Sequence, residues 1–255
     1  MTSEWEDAEL RRIDPGRILK EVFRIYRAQA AVLLPVAIVL FGIDALIGYA
    51  LGDEALAIVS SIVSIVISTF YQGMVVQLVR DVLDGQRDSS IGDLLRSVSP
   101  VVLTLIVVSI LAGIATVIGF IALIIPGLYL MTIWAVVAPV VVVERPASGL
   151  SAFGRSRALV KGHGWQVFGV IVIVIVLLLA VGVVTAILIG AVGDAGGALA
   201  GWLLSVVAAP ISALVAAVLY FALRVAHGEP ARPEDAVEWM PPVAPGGFST
   251  ADPQT

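Results

Sequence analysis

Long apolar runs alternate with short polar segments along the whole chain, and this alternation predicts membrane-spanning helices. A helix needs about 20 residues to cross a hydrocarbon core of about 30 Å. Six runs approach or exceed this length, at about residues 30–51, 55–79, 101–124, 128–143, 165–189 and 199–223. The pattern therefore predicts an all-α, polytopic membrane protein with six transmembrane helices.

A second pattern, at helical spacing, precedes each pair of predicted spans. In segments beginning near residues 15, 90 and 148, apolar residues recur every three or four positions beside polar and basic ones. This is typical of amphipathic helices that lie in the membrane surface. We therefore predict three short cytoplasmic interfacial helices. The expected organisation is a cytoplasmic N-terminus with an amphipathic helix (1–28), a six-helix transmembrane domain (29–225) and a proline-rich, disordered cytoplasmic tail (226–255).

The basic residues divide unequally between the predicted connections, and this gives an orientation. All fifteen lie before the first span, after the second, between the fourth and fifth, or after the sixth. The alternate connections contain none. Because cytoplasmic loops collect Lys and Arg, both termini are predicted to be cytoplasmic, in a plasma membrane. The charged N-terminal segment predicts an uncleaved anchor rather than a signal peptide.

Composition narrows the classes of function further. The chain is 59% hydrophobic and 14% charged, with a mean hydropathy of +1.03, whereas soluble domains carry about 25% charged residues. It has no cysteine and two histidines, so a thiolate metal site and a cysteine nucleophile are excluded. No catalytic motif is present. We therefore expect no enzymatic activity, catalytic residues, metal or cofactor, and no nucleic-acid partner.

Five polar residues inside the first two predicted spans are candidates for an intramembrane site. They are Asp44, Ser60, Ser64, Ser68 and Gln72. Ionisable groups in hydrocarbon are costly, which makes Asp44 a candidate cation or proton site. The other four recur every four residues along one helix face, where they would line a solute path or bond neighbouring helices. Both interpretations are open from the sequence.

A second set of candidates lies in the predicted cytoplasmic connection between spans four and five. Arg155, Arg157, Lys161 and His163 fall within nine residues of one another. Cations near an anionic leaflet each add about 1 kcal/mol of attraction, so this group is a candidate for binding lipid phosphate. The alternative is that these residues only set topology.

The same region carries a motif that begins with the turn Pro126 and Gly127. Its further residues are Pro139, Glu144, Arg155, Ser156, Gly162 and Trp165. This motif resembles the family of membrane domains of glycerophosphoryl diester phosphodiesterases and their stand-alone bacterial relatives. The resemblance implies an all-helical membrane domain. It implies no activity, because the phosphodiesterase chemistry of that family belongs to a soluble barrel that this sequence lacks.

These observations favour a non-enzymatic plasma-membrane protein that binds anionic lipid or a partner protein at the cytoplasmic leaflet. The expected partners are membrane lipids and either another membrane protein or a second copy of this chain. The alternative hypothesis is a transporter or channel for a small or lipidic solute, based on Asp44 and the polar stripe of the second span.

Overall fold

The computed structural model describes residues 13–50, 56–83, 91–146, 148–192 and 194–229. Within these ranges the chain is helical and contains no strand. The α-helices are α1 (Pro15–Ala50), α2 (Ala57–Leu83), α3 (Ile91–Val98), α4 (Val102–Ala122), α5 (Ile124–Ile133), α6 (Val137–Glu144), α7 (Gly149–Val160), α8 (Gly164–Val192) and α9 (Asp194–Ala226). A 3-10 helix, Ser99–Val101, joins α3 to α4. The predicted tail from residue 230 onward lies outside the described residues.

Within the described ranges, six helical segments are long and apolar enough to cross a membrane, in agreement with the six predicted spans. They are Pro15–Ala50, Ile58–Leu83, Ser99–Ala122, Ile124–Glu144, Gly164–Ile187 and Leu199–Ala226. Some are longer than a hydrocarbon core requires. Helix α1 has 36 residues, or about 54 Å at 1.5 Å per residue, against about 30 Å of hydrocarbon. Part of this helix therefore extends beyond the core.

The structure has one helix where the sequence analysis places two. The first predicted interfacial helix and the first span are both parts of α1, which runs without interruption through residues 28–31. These residues are Ala, Gln, Ala and Ala, which are strong helix formers, and no Gly or Pro separates the two parts. The apolar stripe of the first part is buried in the protein, at Ile18, Val22 and Ile25.

The other two segments predicted to be interfacial also turn apolar side chains towards the protein. In α3, Leu94 and Val98 are buried. Val98 packs over Gly73 of α2, where an added Cβ would lie 2.8 Å from Val98 Cγ1. In α7, Leu159 and Val160 are buried. The amphipathic pattern of α3 and α7 thus reflects packing on the bundle, and their position relative to a membrane surface stays a prediction.

The fourth span is broken between α5 and α6. Pro139 lies in the first turn of α6, where its missing N–H and its ring exclude a continuous helix through Ala135. Val137 N instead donates to the carbonyl of Trp134 at 3.1 Å, three residues back rather than four. The carbonyl of Ile133, at the end of α5, accepts a hydrogen bond from Ser156 Oγ of α7 at 2.8 Å. Ser156 thus satisfies a backbone group at the break, and it fixes α7 to the fourth span.

The buried core is concentrated at one end of the bundle, which we call the packed end. It comprises the N-terminal parts of α1, α4 and α8, the C-terminal parts of α2 and α9, and α3, α6 and α7. Glycines allow close contacts between these parts. A Cβ added at Gly169 of α8 would lie 3.6 Å from Pro15 of α1, and one added at Gly149 of α7 would lie 2.9 Å from Val108 of α4. The opposite parts of the long helices form the open end, where Tyr49 is 87% exposed.

Candidate functional site

Five polar side chains from α6, α7 and the end of α9 form a bonded group at the packed end, which we call the charged cluster. Arg155 Nε donates to both carboxylate oxygens of Glu144 at 3.0 Å, and its terminal nitrogen bonds Glu229. Arg224 Nε lies 3.2 Å from Glu229 Oε2, and Arg224 is only 5% exposed. The Tyr220 hydroxyl donates to Glu144 Oε1 at 3.0 Å.

The charged cluster is electrically balanced, because two arginines face two glutamates. The hydrogen bond with Glu229 raises the pKa of Arg155 above its usual range. Burial alone would raise the pKa of Glu229, but its bonds to Arg155 and Arg224 outweigh burial and hold this pKa below its ordinary value. Arg155 and Glu229 therefore keep their charges at neutral pH, and each charged group of the cluster has an oppositely charged partner within the protein. The cluster ties α6, α7 and α9 together.

The residues of the family-like motif have identifiable places in this arrangement. Pro139 accompanies the break in the fourth span, and Ser156 bonds the carbonyl exposed by that break. Glu144 and Arg155 belong to the charged cluster. Gly162 has a φ of +90° in the turn between α7 and α8, a conformation that favours glycine. Most residues of the motif thus have a structural role in the fold.

A groove of about 950 Å³ lies between α5, the end of α7 and the beginning of α8. One wall is a single face of α5, formed by Ile125, Leu128, Tyr129 and Thr132. The other wall begins with Arg157 and Lys161 and continues with apolar residues of α8. Among the residues that the structure describes, none that lines the walls carries a carboxylate. The described lining is thus mainly apolar, with two cations at one side.

The four predicted headgroup-binding residues divide into three environments. Arg155 is bonded to the carboxylates of the charged cluster. Arg157 and Lys161 are exposed and line the groove. Among the side chains that the structure describes, neither of them has an acidic partner. His163 is half-buried and contacts His227, with 5.3 Å between ring centroids. Arg157 and Lys161 are therefore the members of the group that are free to meet an external anion.

His163 has an unusual environment for a residue in a turn. Its Nδ1 is buried, with no hydrogen-bond partner in the described part of the chain. Burial, together with the neighbouring His227, lowers the pKa of His163. The side chain is thus mainly neutral at pH 7, which makes it a poor ligand for phosphate. Its protonation at lower pH would place a charge inside the α7–α8 turn.

The predicted intramembrane candidates lie away from the groove, on α1 and α2. Ser64 Oγ donates to Asp44 Oδ1 at 2.7 Å, and both residues are half-buried. Ser68 donates to the carbonyl of Ile65 in its own helix at 3.1 Å. Ser60 and Gln72 are half-buried as well. The bond between Asp44 and Ser64 therefore links two helices, and none of the five candidates lines the groove.

Sequence reasoning missed Tyr220, Arg224 and Glu229 as members of the charged cluster. The hydrogen bond between Arg155 and Glu229 joins residues 74 positions apart. No local spacing signals a pair so distant, although a buried arginine at the end of a span is a reason to look for a carboxylate. Within the described ranges, no three His, Asp or Glu side chains lie close enough together to hold a metal ion.

No family model, curated protein or solved structure matches this chain. The fold defines an all-helical protein with six helices that can span a membrane. The resemblance to the phosphodiesterase membrane domains stays a prediction from the motif alone.

Proposed function

We propose that this protein is a non-enzymatic, multi-pass protein of the plasma membrane that binds anionic lipid at the cytoplasmic leaflet through its packed end. One observation carries the proposal: exposed cations without described acidic partners collect at that end. They include Lys20 and Arg27 on α1 and Arg157 and Lys161 beside the groove. The described residues of the open end contain no basic residue.

The same charges support a cytoplasmic position for the packed end. Lys and Arg are retained on the cytoplasmic side during insertion, which favours this orientation. That leaflet carries the anionic headgroups, and each nearby cation is attracted by about 1 kcal/mol. Arg155 does not count among these cations because Glu144 and Glu229 neutralise it.

Lipid selectivity provides the direct test. The protein is incorporated in nanodiscs formed from equal amounts of phosphatidylcholine and phosphatidylglycerol, and the lipid composition of these nanodiscs is compared with that of nanodiscs without protein. We expect phosphatidylglycerol to be enriched in the nanodiscs that hold the protein, and the enrichment to fall with salt because exposed charges are screened. The variant K20Q/R27Q/R157Q/K161Q is expected to lose the enrichment. Equal enrichment in the variant would contradict the proposal.

Orientation has its own test because the chain contains no cysteine. Single cysteines replace Ser148 at the packed end and Leu123 near the turn between α4 and α5, both of which are exposed. A membrane-impermeant maleimide should label Ser148→Cys only in inverted vesicles and Leu123→Cys only in intact cells. The reverse pattern would place the packed end outside and remove the reason for binding at the inner leaflet.

Transport of a solute is the second hypothesis, and the contacts of its candidate residues support it less. Ser64 is bonded to Asp44, and Ser68 is bonded to its own helix. These bonds fit helix packing, in which a polar group in hydrocarbon needs an internal partner. Labelling of cysteines at positions 60, 64 and 68 by a water-soluble maleimide would favour transport instead.

A further inference from the structure

The groove between α5, α7 and α8 combines three features that point to one kind of occupant. Its α5 wall is mainly apolar, it has two cations at one side, and none of the described residues that line it is acidic. We propose that it binds a single anionic phospholipid, with an acyl chain along α5 and the phosphate between Arg157 and Lys161. This inference rests on the proposed function and names its discrete site.

The length of the groove fits an acyl chain. Helix α5 has 10 residues, or about 15 Å at 1.5 Å per residue. The face that α5 presents to the groove includes Ile125, Leu128 and Thr132, so the wall extends over nearly the whole helix. An acyl chain that reaches through about half of a hydrocarbon core of about 30 Å would be covered by this wall along its length.

The phosphate position is defined by the end of α7. Arg157 lies in the last turn of α7, and Lys161 is its C-cap residue, four positions later. Side chains at this spacing lie on the same face and reach a common anion. Arg155 lies on a different face and turns to the charged cluster. The structure thus separates one arginine that holds the fold from two cations that face the groove.

The beginning of α8 adds neutral contacts at the same place. Its first residues, 164–166, line the groove, and the N–H groups of a first helical turn have no acceptor within the helix. Trp165 is 84% exposed. An exposed indole beside two cations suits the boundary between headgroups and acyl chains, where tryptophan is enriched.

Native mass spectrometry of the full chain in mild detergent tests the site. The probe is phosphatidylglycerol, with phosphatidylcholine as the neutral competitor. We expect one phosphatidylglycerol to remain bound per chain, and R157Q/K161Q to weaken its binding roughly 30-fold. The matched control is K20Q/R27Q, which removes one lysine and one arginine from α1 away from the groove. It should change the affinity of the bound lipid by less than about 2-fold, because distant exposed charges are screened.

A second variant keeps all charges and fills the groove. Leu128→Trp enlarges a half-buried side chain of the α5 wall, and it should displace the bound lipid while the melting temperature and the enrichment of phosphatidylglycerol in nanodiscs are retained. Retention of the lipid by R157Q/K161Q or by Leu128→Trp would overturn the site, as would equal retention of phosphatidylcholine. Competition by soluble glycerol phosphate would also overturn it, since the acyl chain would then contribute nothing.

The two proposals fail in distinguishable ways. If phosphatidylglycerol is enriched in nanodiscs but no single lipid remains bound in detergent, the groove site is wrong and the proposed function stands. If the wild-type protein shows no preference for phosphatidylglycerol in nanodiscs, the proposed function is wrong, and the groove site fails with it.

Discussion

The packed end and the open end belong to the same long helices, yet their side chains have opposite environments. In α1, Leu33 is fully buried, whereas Leu46 is 70% exposed. In α9, Leu214 and Leu219 are buried, whereas Leu199 and Leu203 are exposed. Lipid tails are as apolar as leucine, so a membrane protein gains little by burying apolar side chains within the hydrocarbon. The packed end must therefore be held by shape and polar bonds, and the open end has little need of either.

The polar contacts follow the same division. The packed end holds the charged cluster and the hydrogen bond from Ser156 to the broken fourth span. At the open end, Ser64 donates to Asp44 and links α1 to α2, whereas Ser205 bonds the carbonyl of Gly201 in its own helix and joins nothing else. The arrangement of the helices therefore depends mainly on contacts at the packed end, which also carries the exposed cations. Variants at matched positions of the two ends test this conclusion.

The largest expected difference is between two leucines of α1. Leu33→Ala removes a fully buried side chain and should cost about 2–4 kcal/mol, mostly through the cavity that it leaves. Leu46→Ala should change stability by less than about 0.5 kcal/mol, because lipid or detergent replaces the lost contacts. Thermal unfolding in a mild detergent measures both. Similar losses for the two variants would show that the open end is packed in solution.

The next difference contrasts two arginines that lie two positions apart in α7. Arg155→Gln removes the bonds to Glu144 and Glu229 and should destabilise the protein by about 2 kcal/mol. This is less than the 3–5 kcal/mol typical of fully buried pairs, because Arg155 is about one-third exposed. Arg157→Gln should leave the melting temperature unchanged while lipid binding weakens. If Arg157→Gln destabilises the protein as much as Arg155→Gln, the assignment of separate roles is wrong.

A smaller difference is expected between two serines. Ser156→Ala leaves the carbonyl of Ile133 without its donor at a buried break, which should cost about 1 kcal/mol. Ser205→Ala removes only a bond within one helix of the open end, and should cost less than about 0.5 kcal/mol. The melting temperatures of the two variants, each compared with the wild type, measure this difference. A larger loss for Ser205→Ala would mean that the open end depends on its hydrogen bonds more than the packed end does.

The fold and the candidate site could be predicted from the sequence only in part, and the parts that were missed involve the packed end. The six spans follow from hydrophobic length, which is a local property. The continuity of α1 was missed because an amphipathic stripe indicates a buried face without saying whether lipid or protein covers it. The pairing of Arg155 with Glu229 was missed because it depends on how α7 and the end of α9 meet in space. The groove was missed for the same reason, although Arg157 and Lys161 were among the predicted residues.

The smallest expected effect is a pH dependence that arises from two groups of the packed end, His163 and Glu229. Burial beside His227 lowers the pKa of His163, so the folded protein binds fewer protons than the unfolded chain as pH falls below the ordinary value of 6.5. Stability should therefore decline as pH falls from 7 through this range. The lowered pKa of Glu229 acts at lower pH: its contribution is present above the ordinary value of 4.5 and is lost below it.

His163→Gln separates these two contributions. The variant should show a flatter melting temperature between about pH 7 and pH 5 and should keep the acid loss that Glu229 produces. If the wild type and His163→Gln decline equally between pH 7 and pH 5, His163 is not the source of the dependence. His227, whose ring contacts His163 in the same region, would then be the next residue to substitute.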